Sequence, residues 1–228
     1  MVLASPLVAV VFDLDGTLID SVSDIGTATN LLLARHGRTP LPIERYRDLV
    51  GDGSGKLLQY AFAATGAPLP KEQLNDVLDE FLIDYARVPA LPACLYPGVV
   101  ETLDALARAG IRLGVCTNKP ERISHKVLAE IGLTGYFGAV CGGDTLTVRK
   151  PDPATLRHVL TQLDAPAGAA VMVGDSGNDV ALARAAGVAV VAVSYGYPRM
   201  PVARLGADQL IDNFAELPRA LESLALPA

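Results

Sequence analysis

The stretch "VVFDLDGTLIDS", residues 10–21, decides how the rest of the chain is read. Val10, Val11 and Phe12 form an unbroken apolar run, and Asp13, Leu14, Asp15, Gly16 and Thr17 follow at once. Two carboxylates two residues apart at the mouth of a buried strand repel each other and resist burial. In an extended chain that spacing puts both side chains on one side, and Gly16 lets the backbone come close to a ligand. Such a strand end calls for a positive partner and has a chemical use for it.

Working outward, the same kind of apolar run recurs at Ile111–Thr117, Phe137–Gly142, Ala169–Asp175 and Val188–Ser194. Unbroken runs of this length fit strands buried on both faces of a parallel sheet, with Val8–Phe12 as the first. Helical stretches lie between them. Pro120 opens one and Gly132 closes it; Asn178 is placed to cap another, with Gly187 just past its end. Strand, helix and strand in succession give right-handed crossovers and an α/β, Rossmann-like, doubly wound sheet.

Residues 18–90 read differently. Leu74, Val77, Leu78, Phe81, Leu82 and Tyr85 recur at helical spacing, as one stripe of core packing. Ile25–Leu33 and Leu57–Phe62 are also helical, with Gly37 and Gly66 as terminators, and Asp20 and Ser21 are placed to cap the first. The expected organisation is a catalytic core of residues 1–17 and 91–228 with an inserted all-helical cap domain at 18–90. The Pro-rich Val88–Gly98 is the return linker, and the two crossings are candidate hinges.

The chain has 228 residues, of which 50% are hydrophobic and 19% charged, as in a folded globular protein. A net charge of −6 excludes a broad basic surface and hence bulk nucleic-acid binding, but not a small anionic substrate held by local positive charge. Cys94, Cys116 and Cys141 form no CxxC pair, so neither a disulfide framework nor a zinc site is expected. No apolar run approaches the ~20 residues of a membrane helix. The N-terminus has no signal-peptide pattern, and the expected location is cytoplasmic. His36, His125 and His158 are isolated and lack metal-ligand spacing.

Ligands of a parallel sheet bind outside the carboxyl ends of its strands. There the first strand delivers Asp13 and Asp15, the second Thr117, Asn118 and Lys119, and the fourth Asp175, Ser176 and Asp179. Lys150, in "RKPDP", ends the loop after the third. Carboxylates converging this closely call for a hard dication, and Mg²⁺ suits few carboxylates plus phosphate oxygen and water. With Lys150, the Thr117 hydroxyl and the N–H groups of Leu14, Asp15 and Asn118, the set suits a dianionic phosphoryl group. One of the first two aspartates is then placed to attack phosphorus and the other to protonate the departing oxygen.

"DLDGT", "CTNK", "RKPDP" and "GDSGND", in this order, resemble the four motifs of the haloacid-dehalogenase-like phosphatase superfamily, over essentially the whole chain. The resemblance implies that Asp13 is the nucleophile, forming an aspartyl-phosphate, and that Asp15 is general acid and then base. Thr117 and Lys150 hold the phosphoryl group; Asp13, the backbone carbonyl of Asp15 and Asp175 bind Mg²⁺, with Asp179 supporting them. Within the superfamily, "TNKP", "GGDT", "KPDP", "VGDS" and "SYGY" are similar to bacterial phosphoglycolate phosphatases. "VGDGSGKLL" (Val50–Leu58) is similar to the glycine-rich specificity loop of their caps, which makes Gly53 and Lys56 candidate contacts to the substrate's carboxylate, along with Arg47.

The expected activity is Mg²⁺-dependent hydrolysis of a small phosphate monoester, 2-phosphoglycolate first. Alternatives are a phosphatase of another small ester such as a phosphosugar, a pyrophosphatase, or a phosphomutase resembling β-phosphoglucomutase. A non-catalytic binding protein on the same fold is the alternative from another class. The partner is a small phosphorylated metabolite, and monomer and homodimer are both compatible with the sequence.

Overall fold

The computed structural model describes residues 7–91 and 94–224. β1 (Ala9–Phe12) is followed by α1 (Val22–Arg35), α2 (Ser54–Ala64) and α3 (Leu74–Tyr85). The alternation is then α4 (Val99–Arg108), β2 (Arg112–Cys116), α5 (Glu121–Glu130), β3 (Phe137–Cys141), α6 (Pro153–Gln162) and β4 (Ala170–Gly174). α7 (Gly177–Ala186), β5 (Ala189–Val193), β6 (Gln209–Ile211) and α8 (Leu217–Ser223) complete it. The described strands form one sheet in the order β3-β2-β1-β4-β5-β6, and every pairing is parallel.

β1 lies between β2 and β4, the point where the strand order reverses. A crevice opens at the carboxyl ends of such strands, and residues following β1, β2 and β4 share it. Alternation along β1 fills both faces: Val10 and Phe12 pack into one apolar core with Leu103, Val115 and Phe214, and Ala9 and Val11 pack into the other with Leu156, Met172 and Val190. Both faces are covered, so the strands read as continuous apolar runs.

β6 escapes that pattern. Its three residues, Gln209, Leu210 and Ile211, lie at the sheet edge with Leu210 exposed, and produce no apolar run. The expected cap of α7 is corrected. Ser176 is its N-cap and Asn178 lies inside the first turn, because Asp179 reaches back to accept from both the backbone N–H and the hydroxyl of Ser176 (3.0 and 2.6 Å). At α1, Ser21 occupies the cap position, but the Asp20 side chain takes the N–H of Val22 (3.3 Å).

The crossings to and from α1–α3 run side by side. Asp20 N–H donates to Cys94 O (2.8 Å) and Tyr96 N–H to Leu18 O (3.1 Å). Pro92 and Ala93 of the return linker lie outside the described residues. Cys116 and Cys141 are buried free thiols. No described helix is long and apolar enough to cross a membrane.

Candidate active site

Backbone pairing carries the site residues just past the strand ends. Asp13 N–H donates to Val173 O and Thr117 N–H to Cys141 O, both at 2.9 Å. After Asp15 the chain turns sharply: Gly16, at φ +80°, donates its N–H to Ile19 O (2.8 Å). A Cβ on Gly16 would lie 2.3 Å from Asp175 Oδ2, so only glycine lets this turn pack on that carboxylate.

Asp13, Asp175 and Asp179 are buried and offer carboxylate oxygens within 4.8 Å of one another. Lys150, from the loop after β3, is threaded between two of them. Its Nζ lies 2.9 Å from Asp13 Oδ1 and 2.7 Å from Asp179 Oδ1. Asp13 Oδ1 also accepts the N–H of Leu14 (2.7 Å), and Asp175 Oδ2 that of Tyr197 (2.6 Å). Burial pushes the Asp13 carboxyl up to about 6; Lys150 opposes the shift, while Asp179 and Asp15 add to it. Asp175 is held well above the ordinary carboxylate range by burial and by Asp179 and Asp13. Burial works against the charge on Lys150, but Asp13 and Asp179 outweigh it and hold the ammonium above the ordinary lysine value. Three carboxylates facing one ammonium leave an excess of negative charge, and every donor is a hard oxygen. The set fits a divalent cation.

Asp15 turns the other way. Its Oδ1 accepts from Lys119 Nζ (2.7 Å), which also contacts the phenol oxygen of Tyr85 at the end of α3. Asp13, Asp15, Thr117, Asn118 and Lys119 line one side of a cavity, and α1–α3 with the loop ahead of α2 close the other, through Ile25, Val50, Gly53, Ser54, Leu57, Phe81 and Tyr85. The stripe read as core packing therefore has a second duty at Phe81 and Tyr85.

Gly53 reaches the cavity at φ +87°, where a Cβ would stand 3.1 Å from the Arg149 guanidinium. Lys56 does not reach it. In the first turn of α2 it points outward, 58% exposed and 4.0 Å from Asp52, because Ser54 and Leu57 occupy the inward face. Arg47 is likewise outside, paired with Asp20 (2.7 Å). Of the basic residues expected to meet the substrate, Lys56 and Arg47 thus lie outside this cavity.

Sequence reading named Lys119 without a role and gave Tyr85 to core packing alone; the "CTNK" motif held the first, and a hydroxyl at the end of an apolar stripe was the signal for the second. Asn118 was expected to offer its N–H. Its side-chain amide also bridges to Gly51 O (3.0 Å) and Lys150 O (3.3 Å), tying the glycine-rich loop to the sheet.

A doubly wound sheet with acidic strand ends and a helical segment closed over them defines a hydrolase of the family whose model matches residues 7–187, and the chain belongs to the haloacid dehalogenase-like hydrolases. It is 48% identical to a phosphoglycolate phosphatase of Rhodospirillum rubrum over 92% of this chain and 88% of that one. A phosphoglycolate phosphatase of Caulobacter vibrioides is 43% identical, over 94% and 91%. Among solved structures, CbbY of Rhodobacter sphaeroides in complex with phosphate superposes with a TM-score of 0.79 at 30% identity, covering 96% of this chain and all of that one.

Proposed function

We propose that the protein hydrolyses 2-phosphoglycolate to glycolate and phosphate, with Mg²⁺ as cofactor and an aspartyl-phosphate intermediate. The observation that carries this reading is one cavity wall holding Asp13, Asp15 and Thr117, with Lys150 2.9 Å from Asp13. The names of the relatives supply the substrate.

Lys150 and the Leu14 N–H fix Asp13 Oδ1, which leaves Oδ2 as the attacking oxygen. That oxygen bonds to phosphorus while the bond from phosphorus to the glycolate oxygen breaks, and protonated Asp15 gives its proton to the departing oxygen. Asp15, now ionised, takes a proton from the water that splits the aspartyl-phosphate, and Asp13 is regenerated. Thr117 and the N–H of Asn118 hold the phosphoryl oxygens. Asp13, the Asp15 carbonyl and Asp175 would hold the metal, with Asp179 bracing Lys150 behind them. When bound, the dication offsets charge on the phosphoryl oxygens. Residues 18–90 act as a cap that excludes bulk water during transfer to Asp13 and admits one molecule for hydrolysis.

Phosphate release from a panel of small esters, with Mg²⁺ and with chelator, tests this. The reading requires preference for 2-phosphoglycolate over phosphosugars and pyrophosphate, abolished by chelation. A phosphosugar preference would move the substrate, and formation of an isomer without free phosphate would indicate a mutase.

A further inference from the structure

The phosphoryl end of the substrate is well supplied with donors, but its carboxylate needs a receiver in the same cavity. We propose that Lys119, with the phenol of Tyr85, receives that carboxylate and so sets the specificity of the enzyme. The proposal rests on the 2-phosphoglycolate reading above.

Among the described residues lining the cavity, Lys119 is the only cation. The wall contributed by residues 18–90 is apolar or uncharged, and the two basic residues that the sequence suggested for the task, Arg47 and Lys56, lie outside it, the first paired with Asp20. Lys119 is 5% exposed. Of its three N–H donors one goes to Asp15 and one to Tyr85, which leaves the third for a ligand. The Tyr85 oxygen accepts from Lys119, so its own proton remains to be donated. Burial pushes that phenol up, above the ordinary tyrosine value, despite the neighbouring ammonium, so it stays a donor. An ammonium and a phenol side by side match the two oxygens of one carboxylate, and hydrogen bonds with an ionised partner are the strong ones.

The two buried lysines thus divide the substrate. Lys150 stands with Asp13 and Asp179 at the phosphoryl end, and Lys119 stands with Asp15, beside the bond that breaks. A leaving group carrying a carboxylate one methylene removed from the phosphorus-bound oxygen has its charge within reach of Lys119. A neutral one gives Lys119 nothing to bind. Tyr85 also makes the contact depend on the helical segment, since it lies on α3 while Lys119 follows β2.

The test compares 2-phosphoglycolate with 2-hydroxyethyl phosphate, which replaces the carboxylate by a hydroxymethyl group, in the wild type and in Lys119→Met, Lys119→Arg and Tyr85→Phe. The quantity read is the ratio of kcat/KM for the two esters. Lys119→Met should lower the ratio by on the order of 100-fold, the cost of truncating a buried charged partner. Lys119→Arg should recover part of it, and Tyr85→Phe should lower it several-fold, mostly through KM. Equal losses on both esters in Lys119→Met would overturn the proposal, because Lys119 would then act only through Asp15. If Lys119→Met does not fold, Tyr85→Phe decides, and an unchanged ratio there overturns it. A wild type that shows no preference between the esters defeats the substrate reading instead, whatever the variants do.

Discussion

Asn178, in the first turn of α7, donates its side-chain amide to Asp52 Oδ1 at 3.0 Å, joining the sheet to the glycine-rich loop ahead of α2. Arg199 takes the other Asp52 oxygen at 2.6 Å and donates to Val50 O at 3.2 Å. Burial raises the Asp52 carboxyl, but Arg199 and Asn178 outweigh it and hold it below the usual range. These contacts clasp the loop that brings Gly53 and Ser54 to the cavity, and none belongs to the reacting groups. Arg199 is 43% exposed, so its pair contributes at most about 1 kcal/mol. The double variant Asn178→Ala/Arg199→Ala should raise KM for the ester about tenfold, on the order of 1.4 kcal/mol, with kcat and melting temperature little changed. Steady-state kinetics check this, and an unchanged KM would show that the clasp does not govern closure.

Lys150 is the shared counter-charge of two buried carboxylates, Asp13 and Asp179, so its loss is structural as well as catalytic. Lys150→Met leaves Asp13 and Asp179 facing each other without a counter-charge and should cost about 3–5 kcal/mol of stability. Urea unfolding of the metal-free protein measures it. A loss below about 1 kcal/mol would mean the site relaxes or hydrates more readily than its burial implies.

Asp13→Asn has the opposite balance. The amide oxygen can still accept from Leu14 and Lys150, and one of three crowded negative charges is gone. Activity should fall by on the order of 10⁴-fold or more, while the melting temperature of the chelator-treated protein holds or rises. Calorimetry beside an activity assay separates the two effects, and retained activity would remove Asp13 as nucleophile.

Much of this was legible in the chain itself, for a physical reason. A central strand buried on both faces must be continuously apolar, so Asp13 stands out against Val10–Phe12, and Thr117 and Asp175 stand out in the same way at the ends of β2 and β4. Long periodic stretches such as Leu74–Tyr85 were equally plain, and that helix has those bounds. What stayed hidden depends on side-chain direction or on distant partners. Whether Lys56 points into the cavity or away from it is a matter of about half a helical turn. The pairing of Asp52 with Arg199 spans 147 residues. β6 is too short and too exposed to carry a pattern.

Acid should loosen the sheet edge next to β6. Asp208 accepts two N–H groups of Arg184 (2.7 and 3.0 Å) and the backbone N–H of Val190 (2.8 Å). Burial is the largest single influence and raises its carboxyl, but these donors and the Arg184 charge together outweigh it and hold it below the ordinary value. A depressed carboxylate contributes stability that is fully present above its unfolded value, about 3.9, and is lost as pH falls through the folded one. Asp208→Asn should therefore cost about 1 kcal/mol at neutral pH and progressively less below pH ~4. Denaturation of both proteins across that range checks the sign; a difference that grows in acid would reverse it.

The central claim is that Asp13 carries the phosphoryl group and Asp15 moves the proton. Asp15→Asn keeps the nucleophile but removes both the acid that protonates the departing oxygen and the base that activates water, so turnover should fall by about 10²–10⁴-fold. Incubating that variant with Mg²⁺ and 2-phosphoglycolate, quenching in acid and mapping the modified peptide by mass spectrometry tests both roles at once. The account predicts a phosphoryl group on Asp13, slow to hydrolyse and absent from Asp13→Asn. A phosphoryl group on any other residue, or direct hydrolysis with no covalent adduct at any time point, would contradict it.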